Sequence, residues 1–324
     1  MRRHPDLESA ARAARAAPAR RVATVGYSDG LHVGHQALLR ELGDWVRALG
    51  GESLVVTFDR HPQEVLSGSR PLRLLSAEHK LLLLERLGIS AAITLPFTKD
   101  LSLWTAHEFV ERVIRQAGGA SHLLMGFDAA FGHRRQGTFE YLAERAGELG
   151  IEVRRAEPRL LGGERVSSTL VRSALVEGDL PRLEALLGRA FSVLGLVVEG
   201  DRRGKKLGFP TANLDLLGET PPRPGVYFAE ARVLGEPPDP PSDLSGSGVH
   251  GALVNVGRRP TFEGSMEIKV EAHLVDFEGD LYGKWMEVSF LARHREEMKF
   301  PSADALVGQI RRDVEEYRAW RGRR

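Results

Sequence analysis

The sequence contains no cysteine, no long apolar segment and almost no net charge. With zero cysteines among 324 residues, disulfides, thiolate metal sites and cysteine nucleophiles are excluded, and a reducing cytoplasm is the expected location. No uninterrupted apolar run approaches the roughly 20 residues that cross a bilayer, so we expect no membrane partner. The formal net charge is +1. The chain therefore lacks the overall positive field typical of nucleic-acid-binding proteins, and no nucleic-acid partner is expected.

The first 20 residues are rich in arginine and alanine. This composition loosely resembles a transit peptide, but Asp6 and Glu8 interrupt the basic run and no secretory apolar segment follows. We therefore expect residues 1–20 to be a flexible N-terminal extension, either frayed or helical. The remaining length suits two ordinary domains. We expect the protein to be a monomer or a weak homo-oligomer.

Residues 21–187 alternate short apolar runs with helical patterns. RVATVGY, SLVVTF, AAITLPF and HLLMGF predict buried strands, while HQALLRELGDWVRALG and TAHEFVERVIRQAG predict helices between them. The second of these helices starts with Thr105 and Glu108 at capping-box spacing. This order predicts an N-terminal Rossmann-like α/β domain with a parallel sheet, which binds ligands at the carboxyl ends of its strands.

Residues 188–324 are richer in β-strand patterns, separated by Gly, Pro and Asp turns. FSVLGLVVEGD, GVYFAEARVLG, GALVNVG, IKVEAHLVDF and WMEVSFLARH each predict a strand. Such a series predicts a small closed antiparallel β-barrel or a sandwich. A terminal helix is predicted from roughly Ser302 to Trp320, and the Pro-, Ser- and Gly-rich residues 234–250 are predicted to form a loop.

The stretch ATVGYSDGLHVGHQALL, residues 23–39, places glycines and two histidines where a strand gives way to a helix. Gly26 and Gly34 allow a ligand to approach the backbone, and the free N–H groups of a helix start attract phosphate. His32 and His35 are suited to stabilise charge that builds on an attacked phosphorus. Their spacing lacks the pattern of an H-E-x-x-H zinc site. From this pattern alone, metal binding and a structural role both stay open.

A second phosphate-binding candidate lies much later in the same domain. VSSTLVR, residues 166–172, opens a predicted helix after the last strand of the α/β half. Ser167, Ser168 and Thr169 offer hydroxyl groups and backbone amides at the helix start, and Arg172 lies one turn later on the same face. This set suits a triphosphate, although an ordinary helix cap explains the segment in isolation.

The segment GDRRGKKLGFPTANLDL, residues 200–216, combines glycines with cations after a strand. Close backbone approach and positive charge together suit nucleotide phosphates. The expected ATP-contacting residues are Gly204, Lys205, Lys206, Gly208, Pro210, Thr211 and Asn213. A basic hairpin without a ligand would explain the loop's composition but would not need the sequence GFPTANL.

Within that segment, Thr211 and Asn213 lie two residues apart, which on extended backbone points both side chains to one side. Two neutral oxygens suit a Mg²⁺ ion that takes its other ligands from ATP phosphates and water. We therefore expect these two residues to hold Mg²⁺.

Taken together, the motifs resemble those of bacterial bifunctional FAD synthetases, which join an FMN adenylyltransferase to a riboflavin kinase. TFDRHPQEVL, LLSAEHKLLLLERLG, LPFTKDLSLWTAHEFVERV and MGFDAAFGHRRQG follow one another as in that family, and GFPTANL closely matches its kinase pattern. The resemblance runs from about Val22 to Trp320. It implies a cytoplasmic enzyme that uses ATP and Mg²⁺ to convert riboflavin to FMN and FMN to FAD.

For the first half, the resemblance implies attack by the phosphate of FMN on the α-phosphorus of ATP, with release of pyrophosphate. His32 and His35 would stabilise the α-phosphate charge in the transition state. The segment Ser167–Thr169 and Arg172 would hold the outer phosphates. Asp29 would shape the loop or position Mg²⁺. Asp128, in the matching stretch MGFDAAFG, is expected to contact flavin.

For the second half, the resemblance assigns Glu271 as the general base that accepts the proton of the ribityl 5′-hydroxyl group. This glutamate lies among apolar residues in IKVEAHLVDFEGDLYG. Carboxylates in apolar surroundings are good general bases, because desolvation raises their affinity for protons. A lone glutamate in a strand is otherwise more often exposed or ion-paired. The matching stretch RHREEMKF adds Arg295 and Glu297 as expected flavin contacts.

The chain also departs from the family pattern. Ser28 stands where the family usually has Phe, Arg60 where it has Pro, and Ala129 where it has Phe, while Lys205 replaces a common Arg. Lost aromatics and an added cation can change how a flat flavin ring is held. One alternative is therefore a riboflavin kinase whose adenylyltransferase half is inactive or altered in specificity. A second alternative is a non-catalytic flavin or nucleotide sensor.

Overall fold

The computed structural model describes residues 1–16, 20–200, 204, 207–235, 248–260 and 266–323. The chain divides into two compact units. Unit 1 comprises Met1–Arg73 and Lys80–Ser168, and unit 2 comprises Leu74–His79 and Thr169–Arg324. This division falls before the predicted domain boundary at residue 187, because the two helices after Ser168 group with the C-terminal unit.

Unit 1 is built on a six-stranded sheet with the order β1-β4-β3-β2-β5-β6, and every pair in it is parallel. The strands are β1 (Arg2–His4), β2 (Arg21–Val25), β3 (Glu52–Phe58), β4 (Ala91–Leu95), β5 (His122–Met125) and β6 (Glu152–Arg155). The inner strands read as continuous apolar runs because both faces of a parallel sheet are covered. The predicted N-terminal α/β domain with a parallel sheet is confirmed.

Helices connect these strands. They are α1 (Leu7–Ala16), α2 (Val33–Leu49), α3 (Pro62–Leu66), α4 (Ala77–Arg86), α5 (Lys99–Leu103), α6 (Ala106–Phe109, continued by the π-helical Val110–Ala117), α7 (Phe139–Glu144) and α8 (Ala146–Leu149). The predicted capping box is present. Thr105 Oγ1 accepts a hydrogen bond from the Glu108 N–H at 3.1 Å, and the Glu108 carboxylate accepts one from the Thr105 N–H at 2.9 Å. A short hairpin, β7 (Leu160–Leu161) and β8 (Glu164–Arg165), follows β6.

The N-terminal residues differ from the flexible extension expected over residues 1–20. Strand β1 pairs in parallel with β4, and Ala10 on α1 is buried in the core of unit 1. The terminal amine and the Arg3 guanidinium both contact Glu85, at 2.8 and 2.6 Å. Strand pairing, apolar burial and these ion pairs together hold the segment on the sheet, which its Arg- and Ala-rich composition did not indicate.

Unit 2 contains a closed six-stranded barrel with the order β10-β13-β12-β11-β14-β9, in which neighbouring strands are antiparallel. The strands are β9 (Phe191–Val198), β10 (Ala212–Asp215), β11 (Gly225–Val233), β12 (Val249–Pro260), β13 (Met266–Leu274) and β14 (Trp285–Arg295). The barrel interpretation is confirmed over the sandwich. Within the predicted loop at 234–250, residues 236–247 lie outside the described residues.

In the described part of unit 2, the helices with assigned bounds are α9 (Ser168–Glu177, of which Thr169 onward belongs to this unit), α10 (Leu180–Leu187) and α11 (Ala303–Arg321). The terminal helix α11 is the one predicted, and Ser302 caps it by accepting a hydrogen bond from the Ala305 N–H at 3.2 Å. Val314 and Tyr317 of α11 pack in one apolar cluster with Phe228 of the barrel. Among the described helices, none is both long and apolar enough to cross a bilayer.

Candidate active sites

The two histidines of the glycine-rich loop lie side by side at the start of α2. His32 is the N-cap of this helix, and its Nδ1 accepts a hydrogen bond from the His35 N–H at 3.3 Å. The two imidazole rings are stacked with centroids 3.8 Å apart. Gly34 leaves room for this stack, because a Cβ at that position would lie 3.1 Å from the His32 ring, closer than an ordinary van der Waals contact. The sequence places the histidines three apart so that one helix turn brings their rings together.

His35 is in an environment that keeps its imidazole neutral. Burial lowers the pKa of His35 well below its ordinary value of 6.5, and the nearby charges of His32 and Lys80 lower it further. An uncharged imidazole still carries one N–H donor. The group is therefore suited to donate a hydrogen bond to a phosphate oxygen near neutral pH.

A cavity of about 240 Å³ in unit 1, here called the histidine pocket, brings together residues from both predicted phosphate-binding segments. The predicted site residues on its lining are His32, Gly34, His35, Asp128, Ser167 and Ser168. Ser168 Oγ donates a hydrogen bond to the Asp29 carbonyl oxygen at 2.8 Å. This bond ties the late serine segment to the glycine-rich loop, although the two are far apart in sequence.

Other predicted residues of this half lie elsewhere. Gly26 lines a neighbouring cavity, and Asp29 is buried. Thr169 and Arg172 lie on α9, in the part of the chain that belongs to unit 2. Asp128, which does line the histidine pocket, forms an ion pair with Arg165 of the same lining, with 2.9 Å between its carboxylate and the guanidinium.

The neighbouring cavity, here called the aromatic pocket, has a volume of about 820 Å³. Its lining includes the aromatic residues Tyr27, Phe58, Phe97, Phe109 and Phe131. The sequence analysis did not predict this pocket, although the positions of three of its aromatic residues in the sequence could have indicated it. Tyr27, Phe58 and Phe97 each lie at or just beyond the carboxyl end of a parallel strand, where ligands of such sheets bind.

The Tyr27 ring is fixed on two sides within unit 1. The Lys80 ammonium group lies 3.9 Å from its centroid, and the His61 ring makes an edge contact with centroids 4.9 Å apart. Ala129, one of the departures from the family pattern, also lines this pocket. Arg60 instead forms an ion pair with its neighbour Asp59 at 3.1 Å.

The predicted general base of the second half lies on the barrel with two asparagines beside it. Glu271 on β13 pairs in register with Asn213 on β10 and with Asn255 on β12. Directly opposed residues of antiparallel strands project from the same face. Glu271 is half-buried and lines a cavity of about 350 Å³, here called the glutamate pocket, together with Thr211 and Asn255.

The glycine-rich segment before β10 packs tightly on these residues. A Cβ at Gly204 would lie 2.3 Å from the Phe209 carbonyl oxygen and 3.3 Å from Thr211 Oγ1. A Cβ at Gly200 would lie 2.2 Å from the Asn213 amide nitrogen. A side chain at Gly204 would therefore clash with backbone, and one at Gly200 would displace the Asn213 amide group. Gly208 has φ 83, in the left-handed region that favours glycine. Lys205 and Lys206 lie outside the described residues.

A second barrel cavity, of about 530 Å³, adjoins the glutamate pocket. Thr211 lines both cavities, and Pro210 lines the second. The Pro210 carbonyl oxygen accepts a hydrogen bond from His273 Nδ1 at 2.9 Å. The GFPTANL segment therefore forms the wall between two compartments.

Arg295 and Glu297, the expected flavin contacts, both line the glutamate pocket. Arg295 makes a forked ion pair with the buried Asp313 of α11, with its closest contact at 2.7 Å. Burial by itself raises the pKa of Asp313, but hydrogen bonds from Arg295 and Gln309 bring it below its ordinary value. Asp313 is thus an ionised anchor that fixes the arginine at the pocket, and sequence reasoning did not identify it.

Comparison with known proteins also divides the chain into two parts, each matched by a different family model. Residues 14–170 match the family model of FAD synthetase, and residues 187–321 match that of riboflavin kinase. The bifunctional riboflavin kinase/FMN adenylyltransferase of Haemophilus influenzae is 34% identical over 298 residues, which cover 92% of this chain and 93% of the relative. Its counterpart in Pseudomonas fluorescens is 37% identical over 298 residues, with 92% of each covered.

One solved structure is similar to this chain over nearly its full length. A Streptococcus pneumoniae protein described as a macrolide-efflux protein has a TM-score of 0.77 and 32% sequence identity. The match covers 94% of this chain and 95% of that one.

Proposed function

The chain belongs to the bifunctional riboflavin kinase/FMN adenylyltransferase family, and from this premise we propose which residues carry out each reaction. The protein phosphorylates riboflavin to FMN and adenylylates FMN to FAD. The observation that supports this assignment most strongly is that each unit contains two adjoining cavities lined by different kinds of residues. In unit 1 these are the histidine and aromatic pockets, and in unit 2 they are the glutamate pocket and its neighbour across Thr211.

In unit 1, ATP occupies the histidine pocket and the flavin ring of FMN occupies the aromatic pocket. Consecutive residues join the two cavities, since Asp128 lines the first and Ala129 the second. A phosphate oxygen of FMN bonds to the α-phosphorus of ATP while the bond to the β-phosphate oxygen breaks and pyrophosphate leaves. His32 and His35 donate hydrogen bonds to the α-phosphate oxygens, where negative charge increases in the transition state. Binding of the outer phosphates by Thr169 and Arg172 stays a prediction from the sequence.

In unit 2, riboflavin occupies the glutamate pocket and ATP the cavity beyond Thr211. Glu271 accepts the proton of the ribityl 5′-hydroxyl group as its oxygen attacks the γ-phosphorus of ATP, and ADP leaves. Apolar lining residues such as Phe209 and Ile310 receive the flavin ring, while the anchored Arg295 fixes its polar edge.

Thr211 and Asn213 are the residues that would hold Mg²⁺ in unit 2. Both offer a neutral oxygen, and both lie beside Glu271, Asn213 by strand pairing and Thr211 by lining the same pocket. Such oxygens suit a metal that takes its remaining ligands from phosphates and water. When bound, Mg²⁺ neutralises charge on the transferred phosphoryl group. A cytoplasmic location and a monomer or weak homo-oligomer stay predictions.

The assignment is tested by variants that separate the two reactions. We expect Glu271→Gln to slow riboflavin phosphorylation by about 10²- to 10⁴-fold, because it removes the general base. We expect His32→Asn and His35→Asn to slow FAD formation from FMN by about 10²- to 10³-fold. Each variant should keep the other reaction at the wild-type rate. Loss of both reactions in a folded variant would refute the assignment of separate sites.

A further inference from the structure

Two consecutive arginines at the aromatic pocket have an unusual backbone conformation. Arg134 and Arg135 line this pocket, and their φ angles are 53 and 58. Residues other than glycine adopt this left-handed region rarely, and such residues concentrate at functional sites where the surroundings enforce the conformation. Both side chains are exposed, so both are accessible to a ligand.

The loop that carries the arginines is held in place by its neighbours. The His133 N–H donates a hydrogen bond to the Trp104 carbonyl oxygen at 2.6 Å, and the Gly137 N–H donates one to the Phe131 carbonyl oxygen at 2.9 Å. Gly132 lies so close to α6 that a Cβ there would be 2.6 Å from the Ala106 nitrogen. The strained turn is therefore imposed by packing, and it presents the arginines from a fixed backbone.

Arg135 lies where the two cavities of unit 1 adjoin. Its Nη2 donates a hydrogen bond to the Asp128 carbonyl oxygen at 3.0 Å, and Asp128 lines the histidine pocket. Arg135 itself lines the aromatic pocket. A group bound at this arginine is thus near both cavities.

We propose that Arg134 and Arg135 bind the phosphate of FMN and position it for attack on ATP. This inference rests on the proposed placement of the flavin ring in the aromatic pocket. Of the described residues that line this pocket, these two carry a permanent positive charge. Guanidinium groups bind phosphate through paired hydrogen bonds. The arginines offset the repulsion between the phosphates of FMN and ATP, while one FMN phosphate oxygen stays available as the nucleophile.

Steady-state FAD formation tests the proposal in the full-length protein. The variants are Arg134→Gln, Arg135→Gln and the double substitution, with Arg47→Gln as the matched control. Arg47 is an exposed arginine on α2 that pairs with Asp44. We expect the double variant to raise the KM for FMN by about 10- to 100-fold, as for loss of charged hydrogen bonds. The control should leave the KM unchanged.

Lumiflavin separates phosphate binding from loop structure, because it has the flavin ring but no phosphate and cannot be phosphorylated. We expect its inhibition constant against FMN to stay within about twofold of wild type in every variant. The variant Arg134→Gly adds a second check, since glycine suits the left-handed backbone but lacks the charge. We expect it to raise the KM for FMN as Arg134→Gln does.

Three results would overturn the inference. A KM for FMN that is unchanged in the double variant would show that the arginines do not bind the phosphate. Equal weakening of FMN and lumiflavin would assign the loop a structural role. A normal KM in Arg134→Gly would exclude a role for the Arg134 charge. If the wild type phosphorylates riboflavin but makes no FAD, the proposed adenylyltransferase site fails as well, and this result is distinct from the other three.

Discussion

We predict that a buried ionic cluster makes the stability of unit 2 depend on pH. His79 is fully buried, and its Nδ1 lies 3.1 Å from both carboxylate oxygens of Glu219. Its Nε2 lies 3.4 Å from Glu287, which also accepts a hydrogen bond from Ser192 Oγ at 3.2 Å. The Leu194 N–H donates to Glu219 at 3.0 Å. The cluster therefore joins the segment Leu74–His79 to the barrel strands of the same unit.

The size of the effect follows from the charge on His79. Burial by itself lowers the pKa of His79, but Glu219 and then Glu287 raise it from 6.5 to about 9. At about 1.4 kcal/mol per pKa unit, the protonated cluster contributes about 3 kcal/mol to the free energy of unfolding. Because the folded-state pKa is the higher one, this contribution is complete below pH 6.5 and is lost as the pH rises through about 9.

Thermal unfolding between pH 6.5 and 9.5 measures this loss. The transition that coincides with loss of riboflavin kinase activity is the transition of unit 2. We expect its Tm to fall by roughly 6–12 °C over this range, since 1 kcal/mol shifts the Tm of a unit of this size by about 2–4 °C. His79→Gln leaves two buried carboxylates without the cation. We expect this variant to lose about 3–5 kcal/mol of unfolding free energy at pH 6.5, and its Tm to fall little further as the pH rises.

Two further variants make the test specific. Glu287→Gln removes one of the two carboxylates that raise the pKa of His79, so the fall in Tm should begin at lower pH. His107→Gln is the control, because His107 is half-exposed and its ion pair with Glu148 lies at the surface. If the Tm of wild type and that of His79→Gln decrease by the same amount between pH 6.5 and 9.5, protonated His79 does not stabilise unit 2 and the prediction is refuted.

Three other predictions concern the two reactions. Ala129→Phe should lower the KM for FMN in FAD formation by about threefold to tenfold, because Ala129 lines the aromatic pocket and the substitution restores the ring that the family usually has there; a higher KM would contradict this. Asp313→Asn should weaken riboflavin binding, measured by flavin fluorescence, by about tenfold because it releases the ion-paired Arg295, while FAD formation from FMN stays unchanged; unchanged riboflavin affinity would exclude this role. Because burial keeps the pKa of His35 well below 6.5, kcat for FAD formation should show no inflection from His35 between pH 6.5 and 8; an inflection that disappears in His35→Asn would contradict a neutral imidazole.

The sequence was most informative where one segment contains the whole signal. The apolar runs of β2, β3 and β4 are continuous because both faces of the parallel sheet are buried, so they were recognisable as strands. His32 and His35 were recognisable because two imidazoles flank a glycine at a helix start. GFPTANL was recognisable because Thr211 and Asn213 share a side of an extended segment.

Features assembled from distant segments could not be predicted in this way. The aromatic pocket collects its rings from several loops, and none of those loops is unusual by itself. His79 occupies a helix position that, in sequence, is indistinguishable from a solvent-facing one, and its two carboxylate partners follow much later in the chain. Strand β1 was missed because three residues at a sheet edge carry too little pattern to indicate pairing.

The central claim, that one chain makes FMN in one unit and FAD in the other, is tested most directly by a product time course. Purified protein is incubated with ATP and Mg²⁺ and with either riboflavin or FMN, and the flavins are separated by chromatography. We expect riboflavin to yield FMN first and FAD later, and added FMN to yield FAD without delay. Accumulation of FMN without FAD, even when FMN is added directly and reducing conditions are used, would contradict it.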